Sequence, residues 1–190
     1  MKIFRDFAQG RWVRPTILEL GGKNGTIVSR HADVETAAIG ILRSAFGLQG
    51  QKCSAGSRVF IEEPLFDKLV TRLLELTKTL NIGDPTSREN FLGPVVNKSS
   101  YKDYQGFVQE LKEAGKILTG GEVLTDGSYA RGYFCAPTLA ELPYTHRLWK
   151  HEMFVPITTV GKISSLEMGM KLANDVDYGL TAGFYGTEEE

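Results

Sequence analysis

Hydrophobic positions along the chain alternate between short β-branched runs and longer runs with helical spacing. The short runs predict strands at residues 16–20, 26–28, 58–62, 116–121, 157–163 and 180–186, with a mixed extended stretch at 133–142. GGKNG, residues 21–25, separates the first two predicted strands. Because it is rich in glycine and asparagine, we predict that it forms a turn.

Four segments with a helical apolar period predict helices. The first follows the N-cap Asp33, the second starts near Pro64, the third starts near Ser99 or Ser100, and the fourth runs from Ser165 to Asn174. The third is expected to bury Tyr101, Tyr104, Phe107, Val108, Leu111 and Ala114. Strands alternating with helices predict one α/β domain over residues 1–190, with helices flanking a largely parallel sheet.

The composition argues against several function classes. The 22 basic and 23 acidic residues leave a net charge of −1, which gives no electrostatic basis for binding nucleic acid or an anionic membrane. No apolar run reaches the about 18 residues of a transmembrane helix, and the charged start MKIFRDFAQGRW is unlike a signal peptide. We therefore predict a cytoplasmic protein without a metal site, in which Cys53 and Cys135 are reduced thiols.

The last four residues, TEEE, have the pattern of a helix start. Thr187 suits the N-cap and Glu190 the third helical position of a capping box. A helix start without a following helix indicates a piece of a longer protein; the alternative is a frayed acidic tail.

The segment GLQGQKCSAGSR, residues 47–58, surrounds Cys53 with small, polar and basic residues. A nucleophilic cysteine needs thiolate character and access, and the adjacent Lys52 favours the thiolate. Ser54 and its small neighbours let backbone N–H groups approach a ligand. These features permit a nucleophile at Cys53, but they also suit a small thiol in a tight turn.

Glu19 ends the first predicted strand, which is otherwise apolar. A carboxylate there must either pair with a cation at the sheet edge or face a cleft as a general base. The carboxyl ends of strands are the usual ligand position in open α/β sheets. The three histidines, His31, His146 and His151, show no spacing that pairs them with Cys53.

Four motifs then occur in a fixed order: LELGGKN, GQKCSAGSRVF, HEMFVP and AN followed by YGLTAGFY. Together with the 34 positions between Glu19 and Cys53 (53 − 19 = 34), they resemble the aldehyde dehydrogenase family from about residue 15 onwards. Within that family the loop SAFGLQGQKCSA is most similar to the 1-pyrroline-5-carboxylate dehydrogenase branch, which oxidises L-glutamate γ-semialdehyde to L-glutamate.

The resemblance implies a role for each matching residue. Cys53 would attack the aldehyde carbon, and Glu19 would activate the water that hydrolyses the resulting thioester. Glu152 and Phe154 would contact the nicotinamide end of NAD or NADP, and Ser54 would bind the substrate carboxylate. The family also implies a small aldehyde substrate and a homo-oligomer.

The chain departs from the family pattern at two positions. His151 replaces the first glutamate of the E-E-x-F-G-P segment, and Val155 replaces its glycine. Because valine disfavours positive φ, we expect a changed backbone around Phe154. Family members are also longer, and the resemblance implies that most of the dinucleotide-binding domain and the C-terminal part of the catalytic domain fall outside this sequence.

Three functions therefore remain at this point. The first is part of an aldehyde dehydrogenase that is inactive as a dehydrogenase by itself. The second is a thiol hydrolase in which Cys53 and Glu19 cleave activated esters. The third is a non-catalytic remnant that associates with other subunits through an exposed sheet edge.

Overall fold

The computed structural model describes residues 17–190. Its strands are β1 (Asn24–Val28), β2 (Gly56–Glu62), β3 (Lys116–Thr119), β4 (Val123–Leu124), β5 (Phe134–Cys135), β6 (Thr138–Glu141), β7 (Ile157–Ile163) and β8 (Ala182–Tyr185). Its α-helices are α1 (Val34–Phe46), α2 (Glu63–Lys78), α3 (Lys98–Ala114) and α4 (Leu166–Asn174).

Six of these strands form one sheet in the order β3-β6-β7-β2-β1-β8. All neighbouring pairs are parallel except β3 with β6, while β4 and β5 form a small antiparallel pair. Parallel neighbours need crossover connections, and α1 supplies the one between β1 and β2. This architecture confirms the predicted α/β class with a largely parallel sheet.

Helices cover both faces of the sheet. On one face α1 and α2 bury residues such as Ile41 and Leu69 against Val59 and Ile61. On the other face, residues of α3 and of the segment around Trp149 pack against Phe60. Two apolar faces explain why β2 has a nearly continuous buried run instead of an alternating one.

Side-chain caps fix the helix starts close to the predicted positions. Asp33 accepts a hydrogen bond from the Thr36 N–H at 2.8 Å, and Ser165 accepts one from Met168 at 3.2 Å. The third helix begins slightly earlier than predicted, because Asn97 is its cap. Ala114, expected to be buried there, is exposed in the last turn.

The first predicted strand is wrong over the described residues 17–20. They have no regular structure and are exposed, with Ile17 at 88% and Leu20 at 69% of full exposure. Thr16 lies outside the described residues. The predicted turn at residues 21–25 is also wrong, because β1 already begins at Asn24 and both Lys23 and Asn24 are buried.

The described C-terminal residues form part of the predicted capping box. The Thr187 N–H donates to the Glu190 carboxylate at 3.0 Å, and that carboxylate also accepts from the Ser29 hydroxyl at 2.7 Å. Within residues 17–190, no helix has the length and apolar character needed to cross a membrane. Cys53 and Cys135 are both free, as predicted. Burial raises the pKa of the Cys135 thiol to about 12, so this sulfur is a packing residue.

Candidate active site

Cys53 lies in a tight turn between α1 and β2. The turn is closed by a hydrogen bond from the Ala55 N–H to the Lys52 carbonyl at 3.1 Å, and Cys53 is partly exposed. The Cys53 N–H forms no hydrogen bond with another described residue. A thiol and a free backbone donor therefore belong to the same residue, as attack on a carbonyl requires.

The candidate residues all precede parallel strands. Glu19 precedes β1, Cys53 precedes β2, and Glu152 and Phe154 precede β7. In the sheet these three strands are neighbours, in the order β7-β2-β1, so their amino ends meet at one edge. The site is thus at the amino ends of the strands, and the expectation that Glu19 lies at a carboxyl end was wrong.

Asn24 connects the start of β1 to the cysteine turn. Its side-chain amide donates to the carbonyl oxygens of Cys53 at 2.7 Å and Ala55 at 2.9 Å. Its own oxygen accepts from the Thr181 N–H at 3.0 Å, just before β8. One buried amide therefore fixes the cysteine turn against two neighbouring strands.

Gly21 and Gly22 allow three segments to approach closely. A Cβ on Gly22 would collide with the Cys53 carbonyl oxygen, and a Cβ on Gly21 would collide with the Glu152 carboxylate. The Gly22 N–H donates to Glu152 Oε1 at 2.8 Å. The two glycines therefore bring the cysteine turn and the segment before β7 to the same stretch of backbone.

Phe154 has an unusual backbone conformation. Its φ is +55°, in the left-handed region, and the residue is 43% exposed. Val155 has no positive φ and is buried, so valine fits the backbone at the position where the family has glycine. The strain lies one residue earlier and leaves Phe154 at the surface. The changed backbone that we expected around Phe154 stays a prediction.

The cysteine turn lies between two recesses, and Gly56 lines both. The smaller, of about 10 Å³, is bounded by Glu152 and Phe154. The larger, of about 230 Å³, is lined by Ser54, Thr181 and residues of α1 and β8. Cys53 itself lines neither recess: its neighbours Lys52 and Ala55 line the smaller one, and Ser54 lines the larger one.

The structure places Glu19 and Ser54 near this edge without fixing their side chains. Glu19 is exposed, and its carboxylate forms no hydrogen bond or ion pair with another described residue. Ser54 is exposed, beside Cys53 in the same turn. The backbone of Gly22 therefore links Cys53 to Glu152, because it lies against the Cys53 carbonyl and donates to the Glu152 carboxylate. Glu19 lies three residues before Gly22 in the sequence.

Two further residues were missed by sequence reasoning. Asn24 was assigned to a turn, although it stands two residues before the β-branched run at 26–28, where a polar side chain that becomes buried needs hydrogen-bond partners. Lys23 is 1% exposed, and its amine finds no acceptor among residues 17–190. Burial, followed by repulsion from Arg58, lowers the pKa of Lys23 to about 7, although the Glu152 carboxylate acts in the opposite sense.

The residues present fit one end of a nicotinamide dinucleotide. Glu152 uses Oε1 for Gly22, and its other oxygen accepts no hydrogen bond from a described residue, so it can accept ribose hydroxyls. The exposed Phe154 ring offers a flat apolar contact beside it. Among residues 17–190 no group of three His, Cys, Asp or Glu side chains is placed to hold a metal ion.

Comparison with known sequences identifies the family of the chain. The family model that matches residues 1–190 is the aldehyde dehydrogenase family. The chain is 39% identical over 171 residues to 1-pyrroline-5-carboxylate dehydrogenase of Geobacillus kaustophilus, and 38% identical over 172 residues to the Bacillus subtilis protein of that name. Each alignment covers 90% of this chain but only 32% or 33% of the relative, so the chain spans about a third of their length.

Solved structures show the same fold. The 1-pyrroline-5-carboxylate dehydrogenase from Thermus with bound NAD superposes with a TM-score of 0.86 at 33% identity, covering 99% of this chain and 37% of that one. Lactaldehyde dehydrogenase from Escherichia coli superposes with a TM-score of 0.83 at 31% identity, covering 90% and 35%.

Proposed function

Because the chain belongs to the aldehyde dehydrogenase family, we propose that it supplies the nucleophile and the base for NAD(P)-dependent oxidation of an aldehyde to a carboxylic acid. It corresponds in this proposal to part of the catalytic domain. The observation that carries the proposal is the shared edge of β7, β2 and β1, where Cys53, Glu152 and the segment after Glu19 come together.

In the first step the Cys53 thiolate attacks the aldehyde carbon and forms a thiohemiacetal. The free Cys53 N–H stabilises the negative charge on the former carbonyl oxygen, since it has no other partner among the described residues. A bound nicotinamide would supply the hydride acceptor, and the carbon held by Cys53 would then be left as a thioester on its sulfur.

In the second step Glu19 removes a proton from water, and the resulting hydroxide attacks the thioester and releases the acid and the Cys53 thiolate. The Glu19 carboxylate is exposed and has no hydrogen-bond or ion-pair partner among the described residues, which supports its availability as a base. Glu152 and Phe154 would contact the nicotinamide end of the cofactor, and they line a different recess from Ser54.

The proposed substrate is L-glutamate γ-semialdehyde, with L-glutamate as the product. Support comes from the names of the relatives from Geobacillus and Bacillus and from the loop around Cys53. Ser54 is exposed in the larger recess, where its hydroxyl can donate to the substrate carboxylate. For the whole protein we propose a homo-oligomer in the cytoplasm.

A chimaera tests the oxidation. Residues 17–190 replace the matching segment of the Bacillus subtilis relative, and NADH formation from L-glutamate γ-semialdehyde is measured with NAD⁺ and with NADP⁺. We expect activity that is lost in Cys53→Ala and strongly reduced in Glu19→Gln. A folded, correctly assembled chimaera without activity, or one unaffected by Cys53→Ala, contradicts the proposal.

The 190-residue chain alone allows a narrower test of the same thiol. We expect no appreciable NADH formation from it, because Glu152 and Phe154 offer only one end of a dinucleotide site. We do expect cleavage of p-nitrophenyl acetate, since this reaction needs only the nucleophile, an oxyanion donor and a base. Equal rates for the wild type and Cys53→Ala rule out this hydrolase activity.

A further inference from the structure

Ser44 lies in the last turn of α1 and is half-buried beside the start of β2. Its hydroxyl oxygen accepts a hydrogen bond from the Gly56 N–H at 3.1 Å. Gly56 is the first residue of β2 and follows shortly after Cys53. A helix side chain is therefore bonded to the point where the cysteine turn enters its strand.

The peptide group between Ala55 and Gly56 is held at both of its polar ends. Its carbonyl oxygen, on Ala55, accepts from the Asn24 side-chain amide at 2.9 Å, and its N–H, on Gly56, donates to Ser44. Because a peptide group is planar, fixing both ends sets its orientation. Side chains from β1 and α1 together therefore limit the rotation of the turn that carries Cys53.

The backbone pairing of the sheet is irregular at this point. The pairing of β1 with β2 shifts register between Asn24 and Gly25, opposite the start of β2. A register shift disrupts the regular set of ladder hydrogen bonds locally. The acceptor on Ser44 therefore adds a constraint where the sheet itself is least regular.

The contact between Ser44 and Gly56 is close. A Cβ on Gly56 would lie 2.8 Å from the Ser44 oxygen, so a side chain there would push the hydroxyl away. Serine inside a helix often bonds to a carbonyl of the preceding turn. Within residues 17–190, the Ser44 hydroxyl instead bonds to Gly56, outside its own helix.

We propose that Ser44 is a positioning residue for Cys53. Through the Ala55–Gly56 peptide group it holds the free Cys53 N–H where it can stabilise the oxyanion that forms when the thiolate attacks a carbonyl. The inference rests on the proposed role of Cys53 as the nucleophile. Loss of the Ser44 oxygen should then slow reactions that pass through an oxyanion and spare other reactions of the same thiol.

Two reactions of the 190-residue chain separate this role from a general loss of structure. In acylation by p-nitrophenyl acetate, an S–C bond forms to the carbonyl carbon through an oxyanion intermediate, and p-nitrophenolate leaves with the electron pair of the broken C–O bond. In alkylation by iodoacetamide, the thiolate displaces iodide from a saturated carbon and no oxyanion forms. Cys135 is 2% exposed, so both reactions should occur at Cys53, which mass spectrometry of the labelled peptide checks.

Ser44→Ala should slow acylation by about 10-fold and change the alkylation rate by less than about twofold. Alanine favours helix more than serine does, so α1 should remain folded. Ser44→Thr keeps the hydroxyl and should restore most of the acylation rate, since the adjoining recess of about 230 Å³ has room for its methyl group. Ser164→Ala, whose exposed hydroxyl lies 3.5 Å from the Met168 sulfur, is the matched control and should change neither rate.

Equal acylation rates in the wild type and Ser44→Ala overturn the inference. So does a parallel loss of acylation and alkylation, or a Ser44→Thr protein as slow as Ser44→Ala. A wild-type chain whose Cys53 is alkylated but not acylated contradicts the proposed function, and this inference with it, so the wild type alone distinguishes the two failures.

Discussion

The side-chain amide of Asn24 holds the carbonyl oxygen of Cys53 at 2.7 Å. This bond joins the first residue of β1 to the turn that precedes β2, and a second bond at 2.9 Å reaches Ala55. The orientation of the candidate nucleophile is therefore set by a neighbouring strand as well as by its own loop.

Asn24→Ala should lower both the stability of the chain and the reactivity of the Cys53 thiol. The Cys53 and Ala55 carbonyls lose a shared donor, which should lower the free energy of unfolding by about 1–3 kcal/mol. Because the thiol is then less well oriented, we expect acylation by p-nitrophenyl acetate to slow by about 10- to 100-fold. Stopped-flow acylation and urea unfolding measure the two effects.

The matched control is Asn174→Ala, whose exposed amide contacts only the Met170 carbonyl of its own helix. It should leave acylation unchanged. An Asn24→Ala protein that acylates as fast as this control contradicts a positioning role for Asn24.

Gly22→Ala should disturb the same turn by steric overlap. The added methyl group would meet the Cys53 carbonyl oxygen, so backbone must shift, at a cost of about 1–3 kcal/mol in unfolding free energy. Gly106→Ala, in the exposed middle of α3 with nothing near the new methyl, should instead stabilise by about 0.5–1 kcal/mol. Urea unfolding measures the stability of both variants. A Gly22→Ala protein as stable as Gly106→Ala would show that Gly22 and the Cys53 carbonyl are not in tight contact.

Phe154→Asn should release backbone strain. A left-handed residue other than glycine costs about 1–2 kcal/mol, and asparagine adopts that conformation more readily than phenylalanine. We expect stability to rise by up to about 1 kcal/mol despite the loss of an exposed ring. Phe184→Asn, at a similarly exposed position inside β8, should lower stability because asparagine is unfavourable in strands. If both substitutions destabilise equally in denaturant titrations, strain at Phe154 is not significant.

Titration of the buried Lys23 should make the free energy of unfolding rise with pH above about pH 7. Its pKa is about 7 in the folded chain and near 10.5 when unfolded, so between these values the unfolded state binds more protons and stability rises with pH. Below about pH 7 both states are protonated, and the full penalty of a buried cation applies.

Lys23→Met removes this penalty, so the variant should exceed the wild type in unfolding free energy most at about pH 6. The difference should narrow by at most about 1.4 kcal/mol per pH unit above pH 7. Chemical denaturation across pH measures it, with Lys162→Met as the control that should show no such slope. A difference that is constant from about pH 6 to pH 10 would mean that Lys23 is charged throughout.

Local patterns were sufficient for most of the secondary structure. Asp33 and Ser165 cap their helices as predicted, because capping involves residues only a few positions apart. The apolar spacing of α3 likewise predicted its buried residues Tyr104, Phe107, Val108 and Leu111. The same reasoning failed for residues 17–20, where an apolar, β-branched run has no neighbouring strand to pair with in the described structure.

The sequence by itself determined the alternation of strands and helices, the position of Cys53 in a loop, and the glycines before β1. Only the tertiary structure decided that β7, β2 and β1 are neighbours, and hence that Glu152 and Cys53 meet through Gly22 and Asn24. The reason is that strand order depends on how crossovers pack on two faces of a sheet, which no local period encodes. The contact between Ser44 and Gly56 likewise emerged only when α1 packed beside the start of β2.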